Sequence, residues 1–191
     1  PTPDHAEALL GIGRIATCQD DFAAAEAWLR QSEALARSLD VSTVLWQALF
    51  QRGLIPEWQG DDERAVPLYE SALIVARARD DAQATGVVLQ ALGDTAYRRG
   101  DFQNAERLGE ESVALLRTTG DEWSLALGLI GIGAVNLARG DVAAGVAVYQ
   151  EALGLGLGVD ADWVVASALV GFAAVAAVPD DHTSAARLLG A

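Results

Sequence analysis

The sequence predicts an all-α protein, a solenoid of about five antiparallel helix pairs. Two turn series and a set of small and apolar columns predict it, all sharing a period of 40 residues. The aspartates Asp21, Asp61, Asp101, Asp141 and Asp181 form one turn series, and Asp40, Asp80, Gly120 and Asp160 form a second midway between them. Helical stretches of roughly 16–18 residues fill the gaps. Such short turns force consecutive helices antiparallel, and stacked pairs of this kind build a solenoid.

The pairs follow in order along the chain. Residues 1–40 carry a helix, the turn Gln19-Asp20-Asp21-Phe22 and a second helix. Residues 41–80 repeat this around Gly60-Asp61-Asp62. Pro56 is expected to kink or end the first helix of this pair one turn early. Pro67 is expected to fall near the start of the next helix, where a missing N–H does little harm. Residues 81–120 turn at Gly100-Asp101-Phe102 and residues 121–160 at Gly140-Asp141-Val142. The run Gly154-Leu155-Gly156-Leu157-Gly158 is expected to weaken the end of its helix. Residues 161–191 form a fifth pair whose second helix is truncated. Its exposed face is expected to be covered by further chain or by another copy. Trp163 to Val178 is an uncharged run of 16 residues, short of the roughly 20 that a spanning helix needs. The chain lacks an initiator Met and stops in mid-pattern, so a piece of a longer polypeptide is expected.

Each column has a physical reason. Gly13, Gly53, Gly93 and Gly133, with Ala173, stand in mid-helix, where Gly costs about 1 kcal/mol against Ala. That cost implies helices so close that a Cβ would clash. Ala25, Ala65, Ala105, Gly145 and Ala185 form a second small column; Trp28, Leu68, Leu108, Val148 and Leu188 form a large apolar one. In the turns, Gly supplies the left-handed residue that ends one helix and Asp caps the next.

Composition bounds the function. The chain has 191 residues and 51% apolar content, enough for a sizeable core. Its 13 basic residues, all Arg, face 27 acidic ones, for a net charge of −14. That balance argues against direct nucleic-acid binding and against docking on anionic membranes. The single Cys18 excludes an internal disulfide or a Cys-rich zinc site.

The pattern Leu92-Gly93, Gly100-Asp101-Phe102, Ala105, Glu110 and Val113 resembles the tetratricopeptide repeat, as does Ala65, Tyr69, Ala72-Leu73. That family's period is about 34 residues. The longer period here resembles the C-terminal helical region of bacterial LuxR-type and maltose-activator-like signalling ATPases, transcriptional regulators in which it follows a nucleotide-binding module. The stretches from Gly120 to Gly128 and from Ala185 to Ala191 look like their repeats. The resemblance implies a right-handed solenoid whose first helices line a concave groove. Carried over by column, the groove takes Leu10, Arg14 and Thr17; Gln47, Phe50, Leu54, Glu57 and Trp58; Val87, Gln90, Asp94, Tyr97 and Arg98; and Leu127, Ile130 and Leu137. Phe50, Leu54, Glu57, Trp58, Gln90, Asp94, Tyr97, Arg98 and Ile130 are the principal candidates, since aromatic and Arg side chains anchor binding hot spots.

Other motifs read as structure. The paired aspartates lack the ligand spacing of a calcium loop and suit helix caps. Gly11-Ile12-Gly13 and Gly131-Ile132-Gly133 follow no strand, and no Lys is present for a phosphate loop. His5, His182 and Cys18 are scattered, so no catalytic or metal site and no cofactor is expected. Glu26, Glu110 and Glu111 read as solvated helix faces.

The expected function is a non-catalytic binding module, the sensor or interaction region of a cytoplasmic bacterial regulator. Its partner would be a protein, a peptide or a small-molecule effector in the groove, with further regulator domains covalently attached. The alternative is a structural spacer or self-assembly scaffold that forms homo-oligomers through its exposed ends.

Overall fold

The computed structural model describes residues 1–176, which form nine helices and no strand. They are α1 (Pro3–Cys18), α2 (Phe22–Ser38), α3 (Ser42–Trp58), α4 (Asp62–Ala78), α5 (Ala82–Arg98), α6 (Phe102–Leu116), α7 (Glu122–Ala138), α8 (Val142–Gly158) and α9 (Asp162–Ala176). Asp181, His182, Ala185 and Leu188, and with them the second helix of the fifth pair, lie outside the described residues.

The turns explain the period. A left-handed residue stands at positions 20, 40, 60, 80, 100, 120, 140 and 160. Four are Gly, at φ between 75° and 83°, and four are Asp, at φ between 51° and 58°. The residue after it serves two helices. The Asp61 N–H donates to the Pro56 carbonyl at 2.8 Å, closing α3, and the Asp61 carboxylate accepts from the Arg64 N–H at 3.2 Å, opening α4. Asp21, Asp81, Asp101 and Asp141 repeat both bonds. This is a Schellman ending fused to an N-cap. Val41 and Ala161 make only the closing bond, having no side-chain acceptor, and α6 stops early at Leu116, where the hydroxyls of Thr118 and Thr119 donate to the carbonyls of Leu115 and Leu116. Those bonds compete with the helical ladder.

Three sequence expectations are corrected. Pro56 does not shorten α3, which ends at Trp58, in the column where α1 ends at Cys18 and α5 at Arg98. It sits in the last turn, where it removes one hydrogen bond and its carbonyl still serves the turn. Pro67 is not in the first turn of α4 but at its sixth residue, so it cannot donate to the Glu63 carbonyl. Both residues are exposed, so water can reach that carbonyl. The glycine run does not fray α8, which reaches Gly158. A Cβ on Gly156 would lie 2.8 Å from the Val164 side chain, so this glycine permits close packing on α9.

The helices cluster into two compact units, Pro1–Thr95 and the chain from Ala96 on. In the first, Leu10, Leu29, Val44 and Ile55 form the core around Ala6, Ala25, Ala36 and Ala48. In the second, Val146, Tyr149, Phe172 and Val175 gather, flanked by Ile130 and Leu153. The glycine column does what its cost implied. A Cβ on Gly13 would lie 2.6 Å from Leu29, on Gly53 2.4 Å from the Tyr69 ring, and on Gly133 2.7 Å from the Tyr149 ring.

Candidate binding faces

In the first unit, α3 and α4 assemble an aromatic and acidic cluster. Tyr69 is buried against Gly53, and its ring lies 5.5 Å from that of Phe50. Its hydroxyl donates to the Glu57 carboxylate. Phe50 also meets Trp46 at 6.3 Å. Two predicted groove residues, Phe50 and Glu57, are therefore brought together, with Tyr69 between them. Leu54, Gln90 and Asp94 are half-buried on α3 and α5. Trp58 is 53% exposed and stands edge-on against Phe22 at 6.3 Å. Leu10 and Thr17 were expected to line the groove but are buried, and the Thr17 hydroxyl donates to the Gly13 carbonyl at 2.9 Å. Arg14 is exposed.

The same unit holds a charged cluster that the sequence reading missed. Arg52 on α3 reaches Glu26 and Glu33, one helical stripe of α2, and is only 13% exposed. Arg52 Nη2 donates to Glu26 at 2.9 Å, and Nη1 pairs with Glu33. Glu26 and Glu33 also pair with Arg30 and Arg37. Burial opposes ionisation of Glu26, but hydrogen bonds from Arg52 and Arg30 outweigh it and hold the carboxyl below its usual range. Burial likewise opposes the Arg52 charge, and the two carboxylates outweigh it. Glu26 is thus part of a half-buried network, not a solvated face. The signal was present: Arg52 occupies a column otherwise made of Ile12, Leu92, Ile132 and Phe172. The network borders a cleft of about 660 Å³ among α2, α3 and α4, rimmed by Phe22, Arg64 and Pro67.

In the second unit, Tyr97 is half-buried, its ring 5.7 Å from Phe102, and Arg98 is exposed. Tyr149 is wedged between α7 and α9, and a Cβ on Gly171 would lie 2.4 Å from its ring. Burial, with Tyr97 nearby, pushes its phenol up to about 12, so it stays a neutral hydroxyl at physiological pH. Tyr149 forms one wall of an apolar cleft of about 370 Å³ with Ile130, Trp163, Ser167 and Val170. Ile130 was a predicted groove residue; Tyr149, Trp163 and Val170 were not. Val170 continues the column Phe50, Gln90, Ile130, so extending that column by one repeat would have found it. After Glu122, α7 has no charged residue, and after Asp162, α9 has none.

His5 and Cys18 are exposed near opposite ends of α1. Among the described residues no group of three His, Cys, Asp or Glu could hold a metal ion. No described helix is long and apolar enough to cross a membrane.

The model of the MalT-like TPR region matches residues 3–189. No curated protein matches the sequence. Among solved structures, BtubC (BKLC) from P. vanneervenii superposes with a TM-score of 0.71 at 19% identity, over 83% of this chain and 66% of that one. This chain therefore spans slightly less than two thirds of that protein. A putative kinesin light chain from Podospora anserina with nearly identical TPR-like repeats also gives 0.71, at 15% identity, over 99% of this chain and 93% of that one. At these identities the two structures speak for the fold alone. The match over nearly the whole sequence, with the Gly–Asp turns and the small-residue columns behind it, makes this chain a member of the MalT-like tetratricopeptide-repeat family.

Proposed function

We propose that this chain is a non-catalytic protein-interaction region, the sensor segment of a cytoplasmic bacterial signalling or transcriptional regulator. Its partner engages the first-helix face of one unit, that of α3 and α5 or that of α7 and α9, and regulator domains covalently attached to it carry the output. A partner or effector that prefers one shape of the array biases the attached module by its differential affinity. The observation that carries this reading is the face of α7 and α9. Ile130, Trp163 and Val170 surround an open apolar cleft there, and Trp163 and Val170 are 64% and 70% exposed. Exposed apolar residues grouped around a cleft mark an interaction site.

The test is capture from lysate of the source cells by wild type, by Trp163→Ala/Val170→Asp and by Trp58→Ala/Tyr97→Ala. Equal helicity is checked first by circular dichroism. A partner held by wild type and lost by either variant supports the reading and says which unit binds. Identical captures from all three sink it.

A further inference from the structure

The hydroxyl of Tyr149 says what kind of molecule can enter the cleft between α7 and α9. Two tyrosines hold matching places 80 residues apart, Tyr69 on α4 and Tyr149 on α8. Both are at most 4% exposed, and each ring packs on the mid-helix glycine of the preceding helix, Gly53 or Gly133. Their hydroxyls differ. That of Tyr69 donates to the Glu57 carboxylate. The counterpart of Glu57 is Leu137, which packs against Tyr149 and offers no acceptor.

Among the described residues the Tyr149 hydroxyl has no hydrogen-bond partner. Every described side-chain nitrogen or oxygen that is sealed from solvent does have one. The Tyr149 hydroxyl is therefore not sealed, and the space it opens on is the cleft of about 370 Å³ that Tyr149 lines. Gly171 lets the ring reach beneath α9, since a Cβ there would lie 2.4 Å from it. Ala91 stands in that column in the first unit. A buried donor left without an acceptor costs about 1–3 kcal/mol, so an acceptor brought to it is strongly favoured.

The walls select the rest of the ligand. Ile130, Trp163, Ala166 and Val170 are apolar, Ser167 adds one hydroxyl, and no charged residue lines the cleft. A charged ligand would lose its hydration there without a counter-charge. A partner helix is a poor source of the acceptor, because its main-chain carbonyls already accept within the helix. The volume is that of a small-molecule site. We propose that this cleft takes a small, uncharged, apolar molecule whose carbonyl oxygen accepts the hydrogen bond of Tyr149. The proposal rests on the α7 and α9 face being the binding face and narrows its occupant to a small effector.

Acetophenone and α-methylstyrene test it, since they share a shape and differ in C=O against C=CH2. Both are titrated into this chain and followed by the amide shifts of α7, α8 and α9. Acetophenone is expected to bind about fivefold more tightly, the factor that one neutral hydrogen bond contributes. Tyr149→Phe removes only the hydroxyl and should make the two affinities equal, with that for α-methylstyrene unchanged within about twofold. Leu137→Gln gives Tyr149 the acceptor that Tyr69 has in Glu57 and should weaken acetophenone by a similar factor. Circular dichroism checks that both variants are as helical as wild type. The proposal is overturned if acetophenone shifts no amide around the cleft, if wild type binds the two probes equally, or if Tyr149→Phe keeps the preference. A face that captures a protein through Trp163 and Val170 yet fails these titrations leaves the interaction reading standing and removes the small effector. The reverse pair of results keeps the effector site and removes the protein partner.

Discussion

Replacing Arg52 by Leu removes the cation between Glu26 and Glu33, and the array itself shows how to repair the loss. The counterparts of Glu26, Glu33 and Arg52 are Val66, Leu73 and Leu92 one repeat on, and Val146, Leu153 and Phe172 in the last pair. The network is thus a charged substitute for an apolar triad. Breaking a fully buried pair costs about 3–5 kcal/mol. Here the side chains are 13%, 26% and 15% exposed, and each carboxylate keeps a second arginine. Arg52→Leu alone should therefore cost about 2 kcal/mol. At an m-value of about 2 kcal/mol/M that lowers the urea midpoint by about 1 M. Glu26→Val/Glu33→Leu/Arg52→Leu should return the midpoint to within ~0.5 M of wild type or above it, since apolar replacements of buried ion pairs are neutral or stabilising. The pH dependence gives an independent check. The folded pKa of Glu26 is depressed, so its contribution is full above its unfolded value of about 4.5 and fades as pH falls through the lower folded value. The triple variant should lose that acid-side slope. Equilibrium unfolding followed by circular dichroism at pH 7 and pH 4 measures all of this. If Arg52→Leu is harmless while the triple variant unfolds about 1 M earlier, the reasoning is refuted.

The left-handed aspartates are strained relative to glycine, so Asp20→Gly, Asp40→Gly and Asp80→Gly should each stabilise by about 0.5 kcal/mol, and Gly60→Ala should destabilise by about 1 kcal/mol, in the same unfolding assay. Gly133→Ala places a Cβ against the Tyr149 ring and should cost about 1–3 kcal/mol, recovered in part by Tyr149→Leu. Spectrophotometric titration at 295 nm should show one tyrosine ionising near 12. Because that folded value lies above the unfolded one of about 10, stability is full below pH 10 and falls as pH rises toward 12. Tyr149→Phe should flatten that fall.

The turn chemistry was almost fully legible in the sequence, because it is local. A left-handed Gly or Asp every 20 residues ends one helix, and the Asp that follows it at six of the eight turns caps the next, whatever the helices touch. The close approaches at Gly13, Gly53 and Gly133 were legible for a related reason: only contact with a neighbour justifies a glycine there. Glu26 was misread because, with Arg30 one turn on, it looks like a surface pair of its own helix, and the half-buried Arg52 that draws it inward stands 26 residues away. Pro56 was misread because its damage depends on its distance from the helix end, which the turn at Gly60 sets. Trp163 and Val170 were missed because the inherited column was followed only to the fourth repeat.

The columns also say what kind of contact each unit can make. Position by position, α3 and α5 offer Gln47, Phe50, Leu54 and Val87, Gln90, Asp94, while α7 and α9 offer Leu127, Ile130, Ala134 and Ser167, Val170, Ala174. The first set mixes polar and apolar groups, with Glu57 tied to Tyr69. The second is almost wholly apolar, and its charges, Glu122 and Asp162, are confined to the first turns. A partner held by the second face should release apolar area from water and respond little to salt. One held at Glu57 and Asp94 should weaken as the Debye length shrinks from about 8 Å at physiological salt toward 3 Å at 1 M. Affinity measured at 0.05 M and 0.5 M salt separates the two. A change of less than about twofold assigns the contact to the α7 and α9 face, and a loss of tenfold or more moves it to the acidic residues of the first unit.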